Sequence, residues 1–142
     1  MILCDVNVLI YAHRADAQRH AQFRDWLADQ LTADAPFGFS ELVLSSVIRV
    51  ITNPHVHADA TPLRDALGFA EMIRQSPHAI RVEPGGRHWS IFSTLCGSVR
   101  AKGNLVTDCY FAALAMEHGC EWISTDKHFA RFPGLRWRHP LD

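Results

Sequence analysis

The sequence predicts an α/β fold in which helices cover both faces of a central parallel sheet of four to five strands. Three observations carry that expectation. Short apolar or β-prone runs recur at Met1–Cys4, Pro36–Phe39, Ala79–Val82 and Glu121–Thr125, with Leu135–Trp137 as a possible fifth. Segments of helical length separate them, and parallel strands need such crossovers. At 142 residues and 48% hydrophobic composition, the chain can bury roughly two-thirds of its unfolded surface around one core, so residues 1–142 are read as a single domain.

In chain order, Asp5 and Asn7 follow the first strand and supply turn and capping chemistry before the apolar stretch Val8–Ala12. Phe23, Trp26, Leu27 and Leu31 then fall on one face at helical spacing. Ser40 is a candidate cap for a helix from Glu41 to Thr52, stopped by Asn53-Pro54. His55–Thr61 reads as a loop, and Thr61-Pro62 has the cap-then-proline signature of a helix reaching about Gln75. After Pro84-Gly85-Gly86, a stripe of Trp89, Phe92, Cys96 and Val99 predicts a helix that Gly103 closes as a C-cap. Thr107 is the expected cap of the next helix, which carries Asp108 in its first turn and ends at Gly119; Asp126 follows the fourth strand.

Composition excludes several classes. The uninterrupted apolar stretches, Val8–Ala12 among them, are all far short of the ~18 residues a membrane span needs. Asp5 interrupts the first apolar run and no basic segment precedes it, so a secretory signal is not expected and the protein is placed in the cytoplasm. Cys4, Cys96, Cys109 and Cys120 show no zinc-like spacing and are read as reduced thiols. His55 and His57 lack a convincing third metal ligand. Nothing matches a G-x-S-x-G nucleophile elbow or a phosphate-binding P-loop.

The net charge of −1 hides an asymmetry: residues 1–73 carry 5 basic and 9 acidic side chains, and residues 74–142 carry 9 and 6. Twelve of the fourteen basic residues are Arg, whose planar fork suits phosphate. Arg87, Arg100, Lys102, Lys127 and Arg131 are the candidates for gripping a phosphate backbone, set against the plain alternative of a solvated surface.

The most informative feature is a set of four carboxylates, Asp5, Glu41, Asp108 and Asp126, each placed where a strand gives out or a helix begins. In a parallel sheet such points lie along one edge, so distant residues can converge there. Taken singly, each acid is explained by the stabilisation, about 0.3 to 1 kcal/mol, of a carboxylate in a helix's first turn. Recurrence argues against that explanation, since hydroxyl or amide side chains at Asn7, Ser40, Thr107 and Thr125 flank all four. Two carboxylates about 4 Å apart repel by roughly 4 kcal/mol at an effective dielectric near 20, so a cluster must protonate or bind a cation. Hard oxygen donors suit Mg²⁺, or Mn²⁺.

The stretches D-V-N-V-L-I-Y-A at Asp5, S-E-L-V-L-S at Glu41, L-V-T-D-C-Y-F-A-A-L-A at Asp108 and S-T-D-K-H-F-A-R-F-P-G-L at Asp126 closely resemble the PIN domain, and more narrowly a VapC-type toxin of a toxin–antitoxin pair. The resemblance runs from Met1 to Trp137. It implies a PIN-like three-layer α/β/α sandwich, Mg²⁺-dependent endoribonuclease activity, a small VapB-like antitoxin as partner, and a homodimer. Asp5 and Asp108 are then the first metal ligands, with Asp126 and Glu41 completing the cluster directly or through water, and Asn7 and Thr125 orienting the carboxylates. His128 stands where relatives often carry an acid; it is read as a surface or substrate-facing imidazole more readily than as a ligand. The antitoxin is expected to direct a basic residue toward Asp5 and Asp108 and to place apolar residues near Phe23 and Trp26.

Two alternatives compete. A haloacid-dehalogenase-like phosphatase also starts from an aspartate after the first strand, but it wants an acid two residues later, where this chain has Asn7. A catalytically silent PIN-like module that only binds a protein partner would not need all four acids.

Overall fold

A computed structural model describes residues 1–142. Five strands, β1 (Ile2–Cys4), β2 (Phe37–Phe39), β3 (Ala79–Arg81), β4 (Glu121–Ile123) and β5 (Trp137–Arg138), form one sheet in the order β3-β2-β1-β4-β5. Every pairing is parallel. Six helices connect them: α1 (Val6–His13), α2 (His20–Thr32), α3 (Glu41–Ile51), α4 (Leu63–Arg74), α5 (His88–Val99) and α6 (Asn104–Glu117). A short 3-10 turn at Lys127–Arg131 follows β4.

The chain steps from β1 to β2 to β3 in one direction, then returns past β1 to β4. Right-handed crossovers put helices made before and after such a reversal on opposite faces. The packing agrees: α1 lies against α2 and α3, and α3 against α4, while α5 and α6 pack on each other. The expected α/β/α layering is therefore present, with the reversal between β1 and β4, the place in open parallel sheets where ligands bind.

Burial explains the strands' shortness. β2 is buried throughout and β1 and β4 nearly so, which three residues can achieve only if layers close over them. Trp122 in β4 is fully buried, stacked on Phe111 of α6 at 5.6 Å and tilted on Phe129 at 5.5 Å. In α6, Cys109 and Phe111 through Ala115 are all buried, and the three alanines let the helix lie close to its neighbours. No helix is long and apolar enough to cross a membrane. All four cysteines are free.

Several local expectations are corrected. α5 ends at Arg100, itself left-handed (φ 51°), and Gly103 (φ 59°) is the N-cap of α6 rather than the C-cap of α5. The next helix accordingly starts at Asn104, so Thr107 is inside it and Asp108 stands in its second turn. Of the α5 stripe, Phe92, Cys96 and Val99 pack partly buried against the core beside the buried His88 and Leu95, while Trp89 is 71% exposed. Thr61 does not cap α4; its hydroxyl accepts from the buried Arg14 guanidinium at 3.3 Å. Phe23 is core, edge-on to Tyr11 at 5.2 Å, and so offers no docking surface.

Candidate active site

Asp5 is where β1 ends and α1 begins. Its backbone N–H donates to the Ile123 carbonyl at 2.8 Å, continuing the β1–β4 ladder by one residue. Its side chain then turns back as the N-cap, Oδ1 accepting from the Val6 N–H at 2.7 Å. The other oxygen, Oδ2, accepts from the Ser124 hydroxyl at 2.6 Å and from Asn7 Nδ2 at 3.2 Å. Ser124 is fully buried at the end of β4, and its oxygen accepts from the Asp126 N–H at 3.0 Å. One hydroxyl thereby fixes both strand ends.

Asn7 was expected to orient the carboxylates, and it does contact Asp5. It also accepts at Oδ1 from the Thr125 N–H at 3.3 Å. For Thr125 the expectation is corrected in its chemistry, since it contributes that backbone N–H, whereas the hydroxyl on the carboxylate belongs to Ser124. Asp126 Oδ1 accepts from the His128 backbone N–H at 2.9 Å and sits 2.8 Å from His128 Nδ1. With Nδ1 engaged, the exposed ring of His128 presents Nε2 outward.

These acids open into a cleft of about 440 Å³ lined by Asp5, Asn7, Ile10, Ser46, Arg49, Asn104, Thr107, Asp108, Phe111 and Asp126, with Val6. Three of the four sequence-predicted acids meet there. Glu41 does not: it is the first residue of α3, and its carboxylate pairs with Arg74 at 3.0 Å and Arg81 at 3.5 Å, beside a separate depression. The physical reason is side-chain direction, because α4 and β3 bring two guanidinium groups to the outer side of the α3 N-terminus. What α3 turns into the cleft instead is Ser46 and Arg49, three residues apart on one face. Sequence reasoning missed both, and Ser124 as well; Ser124 alone carried a signal, lying two places before Asp126.

Electrostatics mark the three acids as a set. Burial pushes the Asp5 carboxyl up to about 6, against the hydrogen bonds from Ser124 and Val6, and the charges of Asp108 and Asp126 raise it further. Asp108 is raised by partial burial and then by Asp126, with His128 and Arg131 opposing. Asp5 and Asp108 thus hold their negative charge at a cost that a cation would relieve. No three acidic, histidine or cysteine side chains form a ready-made metal cage. The donors that line the cleft are carboxylate oxygens, hard ligands of the kind divalent cations take.

The basic candidates separate. Lys127 and Arg131 are exposed on the turn that Asp126 caps, and Arg100 and Lys102 are exposed in the turn before α6. Arg87 is tied elsewhere: its side chain donates to the Glu117 carbonyl at 3.1 Å and its backbone N–H to the Glu117 carboxylate at 2.9 Å. Glu117 is nine residues beyond Asp108, about 14 Å along the helix axis.

The PIN domain family model matches residues 2–135, and the chain belongs to the PIN-domain family. Within that family it is a VapC-type ribonuclease. It is 45% identical over 142 residues to ribonuclease VapC43 of Mycobacterium tuberculosis, covering 100% of this chain and 97% of that one. It is 39% identical over 140 residues to ribonuclease VapC25 of the same organism, with 99% of each covered. In fold it matches VapBC2 from Rickettsia felis, whose structure was determined bound to a DNA fragment from its promoter, with a TM-score of 0.72, 13% identity and 98% of each chain covered.

Proposed function

We propose that this VapC-type endoribonuclease cleaves RNA at the cleft between β1 and β4, with Mg²⁺ or Mn²⁺ held by Asp5 and Asp108 directly and by Asp126 directly or through water. The observation that carries the reading is the convergence of three carboxylates, two of them raised in pKa, at the sheet's reversal point. When bound, the cation supplies an activated water and charge neutralisation at the scissile phosphate.

The chain's own residues do the rest. Ser124 and Asn7 hold the Asp5 carboxylate in one orientation. Asp126, braced by the His128 N–H and ring, keeps a second carboxylate beside the Asp108 side. Lys127, Arg131, Arg100 and Lys102 grip the backbone of the RNA, positioning it without reading sequence. Glu41, paired with Arg74 and Arg81, has no part in this chemistry.

The partner in this reading is a VapB-like antitoxin. An apolar groove of about 470 Å³ between α1, α2 and α4, lined by Ala12, Leu27, Leu31, Phe69 and Met72, supports an amphipathic helix as its docking element. A basic side chain from the same partner would neutralise the acids and exclude substrate. Exposed apolar side chains elsewhere, Trp89 and Leu42 among them, support a homodimer. Residues 1–142 act as one domain, in the cytoplasm.

The test is cleavage-end mapping on cellular RNA after brief induction of the parent and of Asp5→Asn. Divalent-dependent cleavage by the parent alone is the expected result; cleavage by both overturns the site assignment. Co-purification from the native operon tests the partner.

A further inference from the structure

Arg49 is the only basic side chain among the eleven residues that line the acidic cleft. It is exposed, and it makes no hydrogen bond or ion pair through its guanidinium, although Asp5, Asp108 and Asp126 line the same space. Other arginines near acids are committed: Arg14 to Asp16, Arg74 to Glu41 and Glu71, Arg81 to Glu41 and Glu83, Arg138 to Glu121. Arg49 is thus the one uncommitted guanidinium in the cleft.

Its placement follows from α3. Ser40 caps that helix, its hydroxyl accepting from the Val43 N–H at 3.4 Å. Val43, Leu44, Val47 and Ile51 bury one face, which orients Ser46 and Arg49 toward α1 and α6. The backbone is fixed there as well, since the Thr52 hydroxyl donates to the Ile48 carbonyl at 2.7 Å. Ser46 adds a neutral donor one turn before Arg49, on the same face.

We infer that Arg49 is the phosphate-binding residue of the cleft, taking a phosphate of the RNA through its planar fork while the acids address the same backbone from the opposite wall. The inference rests on the ribonuclease reading of this cleft. A guanidinium is suited to the role because it stays charged at all working pH and binds phosphate oxygens in pairs. A lone cation facing three carboxylates, without closing onto any of them, also leaves the anionic substrate an attractive end in a cleft that would otherwise repel it.

The experiment uses the full-length protein in two arms. In the first, a fluorescein-labelled single-stranded RNA is titrated in EDTA against Asp108→Asn and Asp108→Asn/Arg49→Ala, so that no metal or cleavage enters. Loss of Arg49 should weaken binding about tenfold and lower the salt slope by about one counterion. In the second arm, cleavage of the same RNA by Arg49→Ala should fall about a hundredfold in kcat/KM, with Arg49→Lys recovering part of it. Calorimetric Mn²⁺ affinity should be no weaker than the parent's. Melting temperatures of Arg49→Ala and Arg49→Lys should match the parent's, because the side chain is exposed. Unchanged RNA affinity, or full activity of Arg49→Ala beside an inactive Asp5→Asn, overturns the inference and leaves the metal reading intact. An Asp5→Asn variant as active as the parent sinks the metal reading, while weaker RNA binding without Arg49 would still support the inference.

Discussion

The Ser124 hydroxyl donates to Asp5 Oδ2 at 2.6 Å across 119 positions of sequence. Because the same oxygen accepts from the Asp126 N–H, this contact sets the spacing of the cleft at its floor. Ser124→Ala should therefore lower the melting temperature. Deleting a hydrogen bond to a buried charged group costs about 1.5–3 kcal/mol. It should also raise the Asp5 pKa further, so that divalent binding begins at a higher pH than in the parent. Calorimetry across pH 5–8 checks both, and an unshifted onset would make the hydroxyl a packing feature only.

For Asp5 itself the sign is opposite to that of a salt-bridged acid. A carboxyl raised from 3.8 to about 6 by burial stabilises the metal-free fold fully below the lower value, and that contribution is lost as pH rises through the upper one. The difference amounts to roughly 3 kcal/mol at pH 8. Asp5→Asn in EDTA should thus gain on the parent at pH 8, with the gain shrinking through pH 6 and gone near pH 4. A pH-independent difference in thermal melts would mean that Asp5 is not ionised against its environment.

Metal should stabilise the parent by RT ln(1 + [L]/Kd), about 2.7 kcal/mol at a hundredfold excess over Kd. In Asp108→Asn that increment should shrink and RNA cleavage should cease, without loss of melting temperature in EDTA, because Asp108 is also raised by burial and by Asp126. Parent-like activity in the variant removes Asp108 from the site.

Glu41→Gln makes the contrasting case. Its two ion pairs are exposed, and such pairs contribute about 1 kcal/mol or less. Cleavage within twofold of the parent and a small drop in melting temperature are expected. A hundredfold loss of activity would return Glu41 to the acid cluster.

Much of this was legible in the chain. Ser40 and Asp5 cap the helices that follow them because a short oxygen-bearing side chain after a strand has an immediate local partner in the next N–H groups. The meeting of Asp5 and Asp126 follows from strand-end placement, whereas Asp108 reaches the cleft from the second turn of α6. Glu41 obeyed the same local rule and still left the cleft, since Arg74 and Arg81 arrive from elements 33 and 40 residues away. The start of α6 was misread because a glycine with positive φ serves either end of a helix, and at Gly103 nothing local chooses between them. Arg49 escaped notice for a similar reason: on α3 it is one charge on an amphipathic helix, and only the approach of α1 and α6 makes its exposed face a wall.

The pairing of β1 with β4 also bears on when in synthesis the cleft is assembled. The strand β1 lies at the middle of the sheet, flanked on one side by β4, which pairs Ile2 with Glu121. Contacts so distant in sequence form late, after the long intervening loop has been closed. While residues beyond Glu121 are still inside the ribosome, Asp5 lacks Ser124 and the cleft lacks Asp126. A nascent chain therefore lacks the complete acid cluster until residues past Asp126 have left the ribosome, so the order of the strands makes assembly of the cleft a late step.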